Sequence, residues 1–344
     1  MQIVHSPLHV RHSDGVELHR GELVPCYEKP ERAEYIREAL VDAGHAFVEP
    51  RNFAVETLHR VHDPAFVAFL STAHARWREE GRDGSMLPSG FPARSLRRDR
   101  VPEGINGAMG YYAFDAGTPI VEGTWDAAFA SAQCAMTAAA LVAEGMPAAY
   151  ALCRPPGHHA ARGAYGGYCF LNNSALAAQE LRDRGFGRVA VLDVDYHHGN
   201  GTQDIFQERG DVLTVSIHGT PETEYPYFLG FADERGSGEG EGCNLNLPLP
   251  RGTGWEAWSA ALDTALEAVA AFRAEALVVP LGVDTYEGDP ISAFGLREEH
   301  FPMIGARLAA AGLPTVLVQE GGYAVREIGT NVAGVLGAFE RGAG

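Results

Sequence analysis

The chain has 344 residues, 46% of them hydrophobic and 21% charged, which excludes a disordered or low-complexity protein and leaves room for one large α/β domain. Its 45 acidic residues outweigh 27 basic ones, and a net charge of −18 disfavours nucleic acid and anionic membrane surfaces as partners while favouring cations. Five widely spaced cysteines without a C-x-x-C pair argue against a disulfide framework, and no apolar run reaches the roughly 18 residues of a membrane span, so a reducing, cytoplasmic setting is expected.

Apolar residues at three and four spacing predict helices over about 30–43, 63–76 and 126–144. The polar stretch 77–107, rich in Gly and Pro, is too long for an ordinary connection and reads as a lid, a functional loop or an interface. From residue 148 onward the pattern changes. AAYALC (148–153), RVAVLDV (188–194), VLTVSIH (212–218), ALVVPLGV (276–283) and TVLVQE (315–320) are unbroken apolar runs, as expected of strands covered on both faces. Helical patterns begin at 172 and 255; in the second, Trp255, Trp258, Leu262, Leu266, Val269 and Phe272 form one core-facing stripe. GSGEGEG (236–242) reads as a flexible loop. Alternating strands and helices predict a mostly parallel sheet with helices on both faces, and no linker divides residues 1–344, so a single domain is expected.

Ligands of such sheets sit beyond the carboxyl ends of the strands, and there the polar residues gather. RPPGHHA (154–160), DVDYHHGNG (193–201), DTYEGDP (284–290) and EGGYA (320–324) each follow a predicted strand. A single Asp or His in such a place usually caps a loop or fills a core, but four strand ends carrying them together point to a site. The D-x-D-x-H spacing lets Asp193, Asp195 and His197 alternate to one side and turns His198 away, so Asp195 and His197 can share an ion. Asp284 would complete a two-Asp, one-His set with an open position, which suits zinc and also Fe(II), Co(II) or Mn(II). His158 and His159, after a rigid Pro-Pro-Gly turn, suit acid–base work, and Tyr323 can donate an O–H to a developing oxyanion.

Taken together, RPPGHH (154–159), GYCFLNN (167–173), DVDYHHGNGTQDIF (193–206), LGVDTYEGDP (281–290) and EGGY (320–323) resemble the histone deacetylase superfamily, most closely its bacterial acetylpolyamine amidohydrolase branch. The similarity runs from about GELVP (21–25) to the C-terminus. It implies an arginase-deacetylase type α/β fold and a homodimer in which the inserted 77–107 loop meets the second subunit and narrows the entrance. It also implies one zinc ion on Asp195, His197 and Asp284, with His158, His159 and Tyr323 catalytic, Asp193 orienting His158 and Asn200 orienting His159. Gly167, Tyr168, Tyr225 and Ile291 would line a substrate tunnel, and a potassium ion would sit near Asp193, Asp195, His197, Ser216 and Ile217. The implied reaction is hydrolysis of an acetylated polyamine or diamine to acetate and free amine, with a protein or peptide lysine deacetylase as the alternative. The branch carries acids at the positions of Asn106 and Gly117, which are not acidic here; Glu103, Asp115 and Glu122 are the nearby acids. Short substrates such as acetylputrescine or acetylcadaverine need less recognition at the far end than acetylspermidine does. A two-metal ureohydrolase would need further aspartates in place of His158, His159 and Tyr323, and an inactive scaffold would have lost a metal ligand or the tyrosine.

Overall fold

Strands that are apolar without interruption must be covered on both faces. The five that read so in the sequence lie inside one eight-stranded sheet, buried along their whole length. The computed structural model describes residues 1–13 and 15–342. Its strands are β1 (Gln2–Val4), β2 (Val16–His19), β3 (Glu22–Pro25), β4 (Ala46–Val48), β5 (Ala148–Ala151), β6 (Val189–Asp193), β7 (Val212–Gly219), β8 (Asn244–Leu249), β9 (Ala276–Leu281) and β10 (Thr315–Gln319). The sheet runs β4-β1-β5-β10-β9-β6-β7-β8 with every neighbouring pair parallel, while β2 and β3 form a separate antiparallel hairpin.

The helices are α1 (Glu31–Asp42), α2 (Pro64–Glu79), α3 (Ile105–Tyr112), α4 (Thr124–Ala143), α5 (Asn173–Asp183), α6 (Asn200–Phe206), α7 (Trp255–Phe272), α8 (His300–Ala309) and α9 (Ile328–Gly342). Because strand side chains alternate, each central strand feeds two cores. Val189, Val191, Val316 and Val318 pack with residues of α2, α4 and α5, whereas Ala190, Leu192 and Leu317 pack with residues of α1, α7, α8 and α9. Helix α4 is long and apolar enough to cross a membrane, but most of it is buried inside the protein, as expected of an alanine-rich helix at the centre of one layer.

Two expectations change. Helix α2 continues to Glu79 and α3 begins at Ile105, so the irregular stretch is 80–104; the glycines of INGAMGYY disguised α3 in the sequence. The acidic segment 236–242 is a packed turn: Ser237 N–H donates to Gln207 O at 2.7 Å and Gly242 N–H to Arg235 O at 2.7 Å. Glycine supplied tightness there, where looseness was expected.

The order of the strands positions the site. Between β5 and β6 the chain leaves two places open, and β10 and β9 later fill them. The C-terminal ends of β5, β10, β9 and β6 therefore lie side by side, at a crevice where the direction of winding reverses.

Candidate active site

Asp195 and His197 leave the end of β6 through two short side-chain-to-backbone turns: Asp195 N–H donates to Asp193 Oδ1 at 3.1 Å, and His197 N–H to Asp195 Oδ1 at 2.8 Å. Asp284 follows β9, its Oδ1 accepting from Tyr196 N–H at 2.8 Å. Gly321, just past β10, donates its N–H to Asp195 Oδ2 at 2.8 Å. These ties bring ligand atoms of Asp195, His197 and Asp284 within 4.8 Å of one another, with His197 Nδ1 3.0 Å from Asp284 Oδ2 and 3.4 Å from Asp195 Oδ1. Such closeness demands a missing side chain: a Cβ on Gly282 would stand 1.9 Å from Asp195 Oδ2.

The electrostatics of this cluster fit a cation. Burial and the neighbouring Asp195 charge push Asp284 up to about 7. Burial opposes charge on His197, yet hydrogen bonds to Asp195 and Asp284 and their charges push it up to about 10. Two buried carboxylates facing one imidazole call for positive charge between them, and their O and N donors match zinc. In a second group within 4.8 Å, His158, Cys169 and Glu320, both carboxylate oxygens, the thiol and His158 Nδ1 are already hydrogen-bonded within the protein.

His158 and His159 follow β5, their rings 4.1 Å apart between centroids. His158 Nδ1 lies 2.9 Å from Asp193 Oδ2, and His159 Nδ1 lies 2.7 Å from Asn200 Oδ1. Each imidazole therefore donates from Nδ1 and leaves Nε2 for chemistry. The partners differ in charge, and the rings differ accordingly. Against the effect of burial, Asp195 and Asp193 push His158 up to about 10. Burial and the charges of His158 and His197 hold His159 well below the usual histidine range. The two rings are thus pushed in opposite directions, His158 toward the charged form and His159 toward the neutral one, as paired roles require.

Tyr323 is 7% exposed, its phenol pushed far up by burial and so kept protonated. Its N–H donates to Asp289 Oδ2 at 2.6 Å, and the Arg32 guanidinium lies 4.6 Å from its ring centroid. Above these groups opens a cavity of about 480 Å³ lined by His159, His197 and Tyr323 at its base and by Gly167, Tyr168, Tyr225 and Ile291 on its walls. That is the size of a small-ligand site. Gly167 takes φ +57, and a Cβ there would lie 2.3 Å from His159 Cδ2, so the wall touches the base only as glycine.

Further residues reach the cavity without a motif to announce them: Glu17, Leu18, His19, Arg20 and Gly21 from the β2–β3 hairpin, with Phe114, Asp115, Glu224, Tyr227 and Phe228. Asp115 organises the walls. Its Oδ2 accepts from Gly167 N–H at 2.6 Å and from Tyr225 O–H at 2.8 Å, and its Oδ1 from Gly117 N–H at 3.1 Å. The acid expected near a far ammonium is thus committed to the protein, and neither Glu103 nor Glu122 lines the cavity.

His198 is buried outside the metal cluster, its Nε2 3.0 Å from Gln203 Oε1 and its ring tilted at 56° against His218. Ser216 lies beside Asp193 in the β6–β7 register, next to Ile217. His218 Nε2 faces Gly230 O at 2.9 Å, so its Nδ1 must accept from the Ser216 hydroxyl at 2.8 Å, leaving the Ser216 lone pairs free.

The description of the histone deacetylase domain matches residues 26–339, and the chain belongs to the histone deacetylase family. Among its relatives, acetylpolyamine amidohydrolase 1 of Pseudomonas aeruginosa is 52% identical over 343 residues, covering 99% of each chain. The acetylpolyamine amidohydrolase of Mycoplana ramosa is 49% identical over 337 residues, covering 98% of each. The crystal structure of acetylpolyamine aminohydrolase from Burkholderia pseudomallei superposes with a TM-score of 0.95 at 42% identity, covering 99% of both chains.

Proposed function

We propose that this protein deacetylates acetylated polyamines and diamines, releasing acetate and the free amine. The observation that carries the reading is the joint placement of the Asp195/His197/Asp284 cluster, the unlike histidine pair and Tyr323 at the base of one aromatic-walled cavity, in a chain about half identical to acetylpolyamine amidohydrolases along its length. Asp195, His197 and Asp284 would hold one zinc ion, which when bound polarises the amide carbonyl and makes water a nucleophile near neutral pH. His159 Nε2 takes the proton of the attacking water and passes it to the leaving nitrogen as the C–N bond breaks. His158, ion-paired to Asp193, keeps a fixed positive charge beside that transfer. The Tyr323 hydroxyl donates to the carbonyl oxygen as negative charge grows there. Tyr168 and Tyr225 enclose the alkyl chain and keep water from it.

Short diamines fit this cavity better than long polyamines. Asn106 Oδ1 accepts from Arg82, a Cβ on Gly117 would lie 2.8 Å from Leu18 O, and Glu17 and Asp115 are both bonded within the protein. Arg20, exposed on the hairpin, adds positive charge at the cavity. Comparing kcat/KM for acetylputrescine, acetylspermine and an acetyl-lysine peptide tests the reading: acetylputrescine should lead, and a preference for the peptide would overturn it in favour of a protein deacetylase.

The remaining features belong to the same proposal. A potassium ion beside Asp193, Asp195, His197, Ser216 and Ile217 is supported by the Ser216 hydroxyl, whose proton is turned to His218. A cytoplasmic homodimer of single-domain chains, with 80–104 at its contact, agrees with the exposure of Leu96 and Val101 in that stretch.

A further inference from the structure

Among the described residues, Glu320 is a fully buried carboxylate that the mechanism above does not use. It directly follows β10, beside the end of β5, and so faces the turn that carries the two histidines. Its Oε2 accepts from Gly157 N–H at 2.6 Å and from His158 N–H at 3.0 Å, and its Oε1 from the Ser174 hydroxyl at 2.9 Å. The next peptide unit is also held: His158 O accepts from Gly201 N–H at 3.1 Å and Thr202 N–H at 3.2 Å, at the start of α6.

The Gly157 and His158 amides belong to no helix or strand and are buried, so they need an acceptor that the turn does not supply. One carboxylate oxygen meets both, and Ser174 fixes the rotation of the carboxylate that presents it.

We propose that Glu320 is a positioning residue for the reaction, setting the place of the His158–His159 backbone relative to the metal cluster through its grip on the Gly157 and His158 amides. The same strand end makes the register meaningful. Gly321 N–H holds Asp195, and Tyr323 stands two residues further on, so a single segment aligns base, metal ligand and oxyanion donor. A displacement of about 1 Å at a reacting group costs on the order of a hundredfold in rate.

This inference rests on the roles proposed above for His158 and His159. Two substitutions separate position from charge. Glu320→Gln keeps the length and an oxygen for both amides but loses the charge; Glu320→Asp keeps the charge but withdraws the oxygens by one methylene. With acetylputrescine as substrate, Glu320→Asp should lower kcat about a hundredfold and Glu320→Gln less than about tenfold, with KM and zinc content near the parent's in both. An equal or greater kcat for Glu320→Asp than for Glu320→Gln would overturn the proposal, as would a loss expressed in KM alone. Should Glu320→Asp not fold, Ser174→Ala, which frees the carboxylate to rotate, should lower kcat severalfold at unchanged KM, and an unchanged kcat there would count against the idea equally. Failure of the catalytic reading would look different: His159→Ala would retain the parent's kcat, whatever the ranking of the Glu320 variants.

Discussion

At the scale of single residues, unlike surroundings give like groups different work. Tyr323 keeps its proton because burial raises its phenol far above the usual range, so it has an O–H to donate. Tyr323→Phe should lower kcat about a hundred- to a thousandfold, the usual cost of one oxyanion donor, while atomic absorption still finds near one zinc per chain. Glu17 offers a test by pH. Burial, and then the charges of Glu28 and Asp115, push it up to about 7 despite hydrogen bonds from Tyr168 O–H and Tyr27 N–H. The unfolded chain loses this proton near about 4.3, so between there and the folded value the native state alone holds it, and stability falls as pH rises. Above the folded value the penalty is complete. The melting temperature of Glu17→Gln relative to the parent should therefore increase from about pH 5 to about pH 8; a difference that shrinks over that span would contradict the assignment.

At the scale of elements, the site depends on how closely strand ends approach. The end of β9 passes so near Asp195 that Gly282→Ala would drive a methyl into Oδ2. That variant should lose most of its zinc in a metal assay while its far-ultraviolet circular dichroism stays that of the parent, since the clash is confined to the rim. The elements that place the site were legible because their signals are strong. β5, β6, β9 and β10 are unbroken apolar runs, and α1, α2, α4, α5 and α7 carry helical spacing. β1 and β4 have three residues each, too few to show a period. In α9 the glycines at 329, 334 and 337 interrupt the apolar stripe, and Pro302 does so in α8. The metal cluster and the histidine pair were visible because each follows its strand directly. The hairpin was not: Glu17 meets Tyr168 from 151 residues away, and nothing in VELH marks a cavity wall. The hairpin's close packing against Gly117 and the Tyr168–Glu17 hydrogen bond hold it there.

At the scale of the whole molecule, a net charge of −18 gives a field that gathers cations. kcat/KM should fall as salt is added, more steeply for doubly charged acetylspermidine than for singly charged acetylputrescine, and hardly at all for an uncharged acetamide of similar length. Equal slopes for all three would show that the field plays no part in capture. The strand order has a consequence in time. β9 and β10 fill the middle of the sheet after its flanks have been written, and they bring Asp284 and Tyr323 with them. A chain still emerging from the ribosome carries Asp195, His197 and both histidines, yet lacks Asp284 and Tyr323. The four strand ends that carry the site come together only when the centre of the sheet is closed.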